Sequence, residues 1–366
     1  MKFLRLAFYV LIAQLVLSGC AGEAVEETSS SSASEINFDA YVGRNASSRS
    51  SVTDIDFLQG KTYNAGFGVF ARYKHTKEDN SPLMLMNNEH VYWKNWKGDY
   101  SDWGYENTRY WPNEGFVDFY AFAPRSADPQ LVDKPGGKEP NPTYIYFPSN
   151  TSPVDLVWAN SKDRTKTNER VKFTFNHALA RLSFDITANQ DLEENGAVIK
   201  VKEVRLYGAE ETKGIFIMAG YLNLENGAWT PEDNGTRWFY TWTPEGKKDD
   251  KPTIPTDSVV YKLSASQLDH TNDTITNDAD SYIFIIPQPK PANFNLKIIY
   301  TVDQGNFKED VTVYKDLREF FPDRDPFVEE GKAYVFHLKL SLDPVDFKVT
   351  ADVVKWGPVD DKTIPL

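Results

Sequence analysis

The sequence predicts an all-β protein folded as two β-sandwich domains in tandem. Three observations carry this reading. Aromatic residues are abundant, with 9 Trp, 19 Tyr and 23 Phe, and Pro and Gly number 21 each. Aromatic and β-branched side chains favour a pleated, half-buried surface. Apolar residues occur in short runs of alternating or continuous character, cut off by turn residues, as sandwich strands require. The chain has 366 residues, long for one core and natural for two domains of roughly 150 to 190 residues each. The predicted halves are 36–168 and 169–366.

The elements follow in order. Lys2 and Arg5 precede an apolar run from Leu6 to Leu17, which closes on Leu17-Ser18-Gly19-Cys20. A basic start, a short apolar region and small residues before a cleavage point describe an export signal over 1–19. The run is shorter than the ~20 residues a spanning helix needs. Cys20 is the single cysteine, so an internal disulfide is excluded. Its position resembles a bacterial lipobox, whose thiol takes a diacylglycerol. The alternative is a plain secretory signal with an incidental cysteine. No aspartate follows Cys20 directly, which fits delivery to the outer membrane. Residues 20–35 are acidic and serine-rich and read as a flexible tether.

Ile36, Phe38, Ala40 and Val42 alternate with Asn37, Asp39 and Tyr41, the period of a strand with one buried face. A polar loop with Arg44 and Arg49 comes next. Strands are expected at Phe67–Tyr73, Val117–Phe122, Tyr144–Phe147 and Asp155–Ala159, then a polar gap from Asn160 to Arg170 where the domain boundary is placed. The second half reads as strands at Val171–Phe175, Arg181–Thr187 and Val198–Tyr207, with further alternation at 294–300, 334–340 and 347–353. Tyr282–Ile286 is continuously apolar, as in a strand buried on both faces. Only Asp316–Phe321 suggests a short helix.

Chemistry is sparse. The formal net charge of −13 and the lack of a long basic run disfavour nucleic acid. The histidines His75, His90, His177, His270 and His337 show no metal-ligand spacing, and His177 reads as a satisfied structural histidine. No nucleotide, hydrolase or metalloprotease motif occurs. No cofactor and no enzymatic activity are expected. The stretch holding Trp93, Trp96 and Trp103 could stack on sugars, but alternation with charged residues also fits a long hairpin with half-buried rings.

The run Arg109-Tyr110-Trp111-Pro112-Asn113-Glu114-Gly115-Phe116-Val117-Asp118-Phe119-Tyr120-Ala121-Phe122-Ala123-Pro124 resembles the fimbrillins, the type V pilin family of anaerobic Gram-negative bacteria. Four further segments agree in order: Phe67–Phe70, Asp155–Ala159, Phe175–Leu182 and the closing stretch from Phe347 to Trp356. The resemblance implies transthyretin-like domains. It also implies an assembly route in which a lipidated subunit reaches the outer membrane and is cut after an arginine. Lipid, tether and first strand then leave together, and a strand from another subunit fills the groove.

On that resemblance Cys20 is the lipidation site. Arg49 is the first choice for the cut and Arg44 the alternative. The strand carrying Ile36, Phe38, Ala40 and Val42 is the removable one. Expected partners are other fimbrial subunits, the outer membrane before processing, and a glycan or host-surface ligand. The short stretch after Trp356, interrupted by Pro358 and Pro365, suggests a tip or accessory subunit in cell adhesion rather than a shaft subunit. The rival reading is a surface lipoprotein that binds glycans. Asp257-Ser258-Val259 and Asp273-Thr274-Ile275 resemble short O-glycosylation signals at Ser258 and Thr274.

Overall fold

The computed structural model describes residues 34–42, 53–62, 65–96, 100–125, 130–138, 141–148, 155–188, 196–233, 237–243, 258–262, 283–321, 323–341, 343, 347–355 and 364–365. Strand β1 (Phe38–Tyr41) comes first, then α1 (Ile55–Leu58), a single helical turn. Asp54 caps that turn by accepting from the Phe57 amide at 2.8 Å, the usual satisfaction of an orphan N–H. β2 (Phe67–Lys74), β3 (Leu83–Trp96), β4 (Tyr100–Gly104) and β5 (Phe116–Ala123) follow. Next are β6 (Tyr144–Phe147), β7 (Val157–Arg164), β8 (Val171–Thr174) and β9 (Asn176–His177). The second half holds β10 (Ala180–Ala188), β11 (Val198–Tyr207), β12 (Gly220–Asn223), β13 (Trp229–Pro231) and β14 (Phe239–Thr243). It continues with β15 (Ser258–Lys262), β16 (Ile283–Ile285), β17 (Asn295–Asp303) and β18 (Lys308–Asp316). β19 (Lys332–Leu340), β20 (Lys348–Lys355) and β21 (Ile364–Pro365) close the chain. The helix expected near Asp316–Phe321 is a 3-10 turn at Arg318–Phe320.

The all-β prediction holds. The first half is a six-stranded sheet, β4-β3-β2-β5-β7-β9, and a two-stranded parallel pair, β1-β8. Phe67, Val69, Ala71, Val117, Phe119, Ala121, Val157 and Ala159 line one face of the large sheet. They share a core with Ile36, Phe38 and Val42 around β1 and with Val171, Phe173 and Phe175 around β8. The second half packs the sheet β16-β10-β19-β20-β21 against β15-β14-β11-β17-β18. Its core includes Leu182, Phe184, Val204, Trp242, Ile298, Tyr300, Phe336 and Leu338.

The two halves are joined by more than a linker. β6 pairs with β12, which pairs with β13, so one small sheet takes strands from both halves. Under it a third apolar cluster gathers Phe70, Tyr120, Phe122, Ile145, Leu156 and Leu179 with Leu222, Leu224, Phe284 and Ile286. This explains why β2 and β5 read as nearly unbroken apolar runs: alternate residues serve two cores. Strand β16 does the same, with Ile283 and Ile285 in the second-half core and Phe284 in the shared cluster. The pairing also runs across the polar gap. β7 continues to Arg164, and β8 and β9 pair with β1 and β7.

Leu222 is fully buried at this junction. Leu222→Ala should lower unfolding stability by about 2–5 kcal/mol through the cavity it leaves. Calorimetry should show the loss, and a change below about 1 kcal/mol would mean that the junction contributes little.

Candidate functional site

The site is built around the strand that the alternating pattern from Ile36 to Val42 picks out. Ile36, Phe38 and Val42 point into the core, Ala40 is half-buried, and Asn37, Asp39 and Tyr41 face outward. Phe38 sits among rings. Its centroid lies 5.8 Å from stacked Phe173, 5.6 Å from Tyr105, and 5.9 and 6.4 Å from the edge-on rings of Phe119 and Phe67. Aromatic pairs at such distances add to plain area burial. Among the described residues, β1 is one of two strands covering that face of the large sheet, which makes it half of a layer.

Its backbone is held differently on its two flanks. Toward β8 it makes a parallel ladder, in which the Asn37 carbonyl accepts from the Val171 amide and the Tyr41 carbonyl from the Phe175 amide, both at 2.8 Å. Upstream, a short antiparallel contact joins Glu35 to Tyr110. There the Ile36 amide donates to Arg109 at 2.8 Å and the Trp111 amide to Ser34 at 2.9 Å. On the second flank side chains replace a neighbouring strand. The Tyr105 hydroxyl donates to the Ile36 carbonyl at 2.6 Å, and Arg170 Nη1 donates to the Phe38 carbonyl at 3.0 Å. Arg170 also forms a two-pronged ion pair with Asp102 of β4, one arm at 2.6 Å.

Cys20, Arg44 and Arg49 lie outside the described residues, as does Thr274. Ser258 opens β15, which runs parallel to β14. The chain is described again from Thr53, and there it is clamped. Asp155, almost completely buried, accepts from the Thr53 amide at 2.7 Å through one carboxylate oxygen and meets His177 Nδ1 at 3.0 Å through the other. The Thr53 hydroxyl donates to the Asp155 carbonyl at 2.5 Å. His177, which lies in β9 rather than between strands, is therefore a buried, hydrogen-bonded structural residue. Sequence reasoning did not find Thr53, Asp155, Tyr105, Asp102 or Arg170. Two separated residues that meet only in the fold leave no local signal.

The aromatic stretch is indeed a hairpin, β3 against β4, with Trp93 opposite Trp103. Trp103 is buried and packs edge-on against both Phe67 and Trp93 at 5.1 Å. It belongs to the first-half core and has no free face for a sugar. Trp93 is half-buried beside it. Trp96 ends β3, and its side chain lies outside the described residues. At the other end of the chain, Ile364 and Pro365 pair with Val353 and Asp352 along the edge of β20.

A family model described as fimbrillin-like matches residues 59–356. The chain belongs to the fimbrillin-like family. A curated relative, fimbrium subunit Fim1C of Phocaeicola vulgatus, is 25% identical over 97% of each chain. The crystal structure of a fimbrial protein from Bacteroides vulgatus is 20% identical and superposes with a TM-score of 0.59, covering 88% of this chain and 99% of its own. A proposed cell adhesion protein from Bacteroides uniformis shares the fold at 15% identity and a TM-score of 0.51, covering 88% of this chain and 98% of its own. Within this fimbrillin-like chain, the family match begins after β1 and α1 and ends before β21.

Proposed function

We propose that this fimbrillin-like protein is a subunit of a cell-surface fimbrium, exported as an outer-membrane lipoprotein through Cys20 and acting by contact rather than catalysis. Cleavage after Arg49, with Arg44 as the alternative, frees the lipid, the tether and β1 together. The emptied slot then takes a strand from another subunit. The observation that carries this reading is β1 itself. It is an N-terminal strand whose apolar side, with Ile36, Phe38 and Val42, is built into the core, followed directly by the segment with both arginines.

An edge stripped of its strand exposes unpaired N–H and C=O groups and is a template for strand addition. A tip or accessory place in the fimbrium, in contact with a host or glycan surface, goes with this reading, because Ile364 and Pro365 pair along β20. Against the rival glycan-binding lipoprotein, Trp103 is a core residue.

Intact mass and N-terminal sequencing of the protein shed from native cells test the proposal. A start at Ser50 or Asn45 without acyl chains is expected. An acylated start at Cys20 on the assembled, surface-exposed form would overturn it.

A further inference from the structure

The fimbrillin-like slot has a feature that strand exchange alone does not require. On the flank of β1 away from β8, the carbonyls of Ile36 and Phe38 face no ladder partner among the described residues. A buried carbonyl without a donor is costly, and here two side chains supply the donors. Each donor has a second anchor that does not belong to β1. The Tyr105 oxygen accepts from the Arg109 amide at 3.1 Å, and Arg170 is gripped by the Asp102 carboxylate. Loss of β1 would leave both anchors in place, with the hydroxyl and the guanidinium still aimed into the slot. Carbonyls of residues two apart point to the same side of a strand, roughly 6.6 Å from each other, and Tyr105 and Arg170 take such a pair.

We infer that Tyr105 and the Arg170–Asp102 pair form a preset carbonyl clamp that fixes the register of whichever strand occupies the slot, and that the partner is an extended segment of another subunit seating an aromatic residue at the Phe38 position. This rests on the strand-replacement reading above. The clamp reads backbone, so it tolerates varied sequences. The ring box of Phe67, Tyr105, Phe119 and Phe173 adds the side-chain selection. Together they allow one alignment, because a slip by one residue would turn both the carbonyls and the aromatic side chain away, and a slip by two would keep the carbonyls but take the aromatic ring out of the box.

Two measurements test the clamp. The first is hydrogen exchange of residues 36–42 in the uncut chain for Arg170→Met, Arg170→Lys and Tyr105→Phe. A hydrogen bond from a charged donor contributes enough that Arg170→Met should speed exchange about tenfold or more, with Tyr105→Phe smaller. Arg170→Lys keeps the charge opposite Asp102 and should fall between parent and Arg170→Met.

The second is refolding of protein cut at Arg49 and freed of its own strand together with a peptide of sequence 34–43, which measures peptide affinity with the Phe38 carbonyl as oxygen or as the weaker acceptor sulfur. The thioamide should bind the parent several-fold more weakly, and that difference should vanish in Arg170→Met. Unchanged exchange in all three variants, or a thioamide penalty that persists in Arg170→Met, would overturn the clamp. If the variants alter exchange but neither peptide enters the cut parent, the clamp stands and strand replacement fails.

Discussion

Removal of residues 20–49 should abolish the stable monomer. Burial of Ile36, Phe38 and Val42 is complete or nearly so, and each such side chain contributes about 1.5–3 kcal/mol by leaving water. The surfaces they cover add to the loss, since Phe67, Phe119 and Phe173 pack on Phe38 and would face solvent. A domain's whole stability is typically about 5–15 kcal/mol, so the shortened chain keeps little or none of it unless something fills the slot. The expected result in light scattering is self-association or a partly unfolded species, with a folded monomer restored by the 34–43 peptide. Phe38→Ala in the intact chain is the milder counterpart, at about 3–5 kcal/mol. A truncated chain that stays monomeric, keeps its melting temperature and ignores the peptide would remove the physical basis of strand exchange.

The same strand shows how far the sequence could be read. Period-two alternation from Ile36 to Val42 gave the buried face of β1 because that period is local. The short apolar runs located β2, β5 and β6 to within one or two residues for the same reason. The partner of β1 was not legible, because Phe38 meets Val171 across a long stretch of chain and nothing in either segment names the other. β7 runs through Asn160–Arg164, a polar stretch that resembles a linker, because that part of the strand serves the ladder with β5 rather than a core. Trp103 was ambiguous in sequence, since a core ring and a sugar platform share the same alternation with charges. The side chains around β1 carried no pattern either. Arg170 and Asp102 meet only because β8 and β4 flank the same strand, and an isolated arginine near a polar gap reads as solvated surface.

Loss of the Asp155 carboxylate should be the most damaging single change to a polar group in the first half. Asp155→Ala leaves the Thr53 amide and His177 Nδ1 without the oxygens that now face them at 2.7 and 3.0 Å, in surroundings where Asp155, Thr53 and His177 are all buried. Each stranded buried group costs about 1–3 kcal/mol, so a loss of about 3–5 kcal/mol is expected. Asp155→Asn is the discriminating control. Its amide oxygen can still serve Thr53, and its NH2 can face His177 once the imidazole presents a lone pair there, so about 1–2 kcal/mol should suffice.

The consequence extends to processing. A chain cut after Arg49 begins three residues before Thr53, and the clamp then anchors the new terminus against fraying into α1. Denaturant unfolding gives the stability difference, and hydrogen exchange over 53–58 gives its location. Should Asp155→Ala unfold within about 1 kcal/mol of the parent with amides 53–58 unchanged, the clamp is dispensable. The terminus would then be held by the packing of α1, with Leu58 fully buried in the same core and Ile55 and Phe57 against it. A loss confined to 53–58 without a global effect would instead mark the segment as a separately opening unit. Cleavage would then loosen α1 as well as release β1, and the slot would widen toward Phe57 and Ile55, which pack against that core.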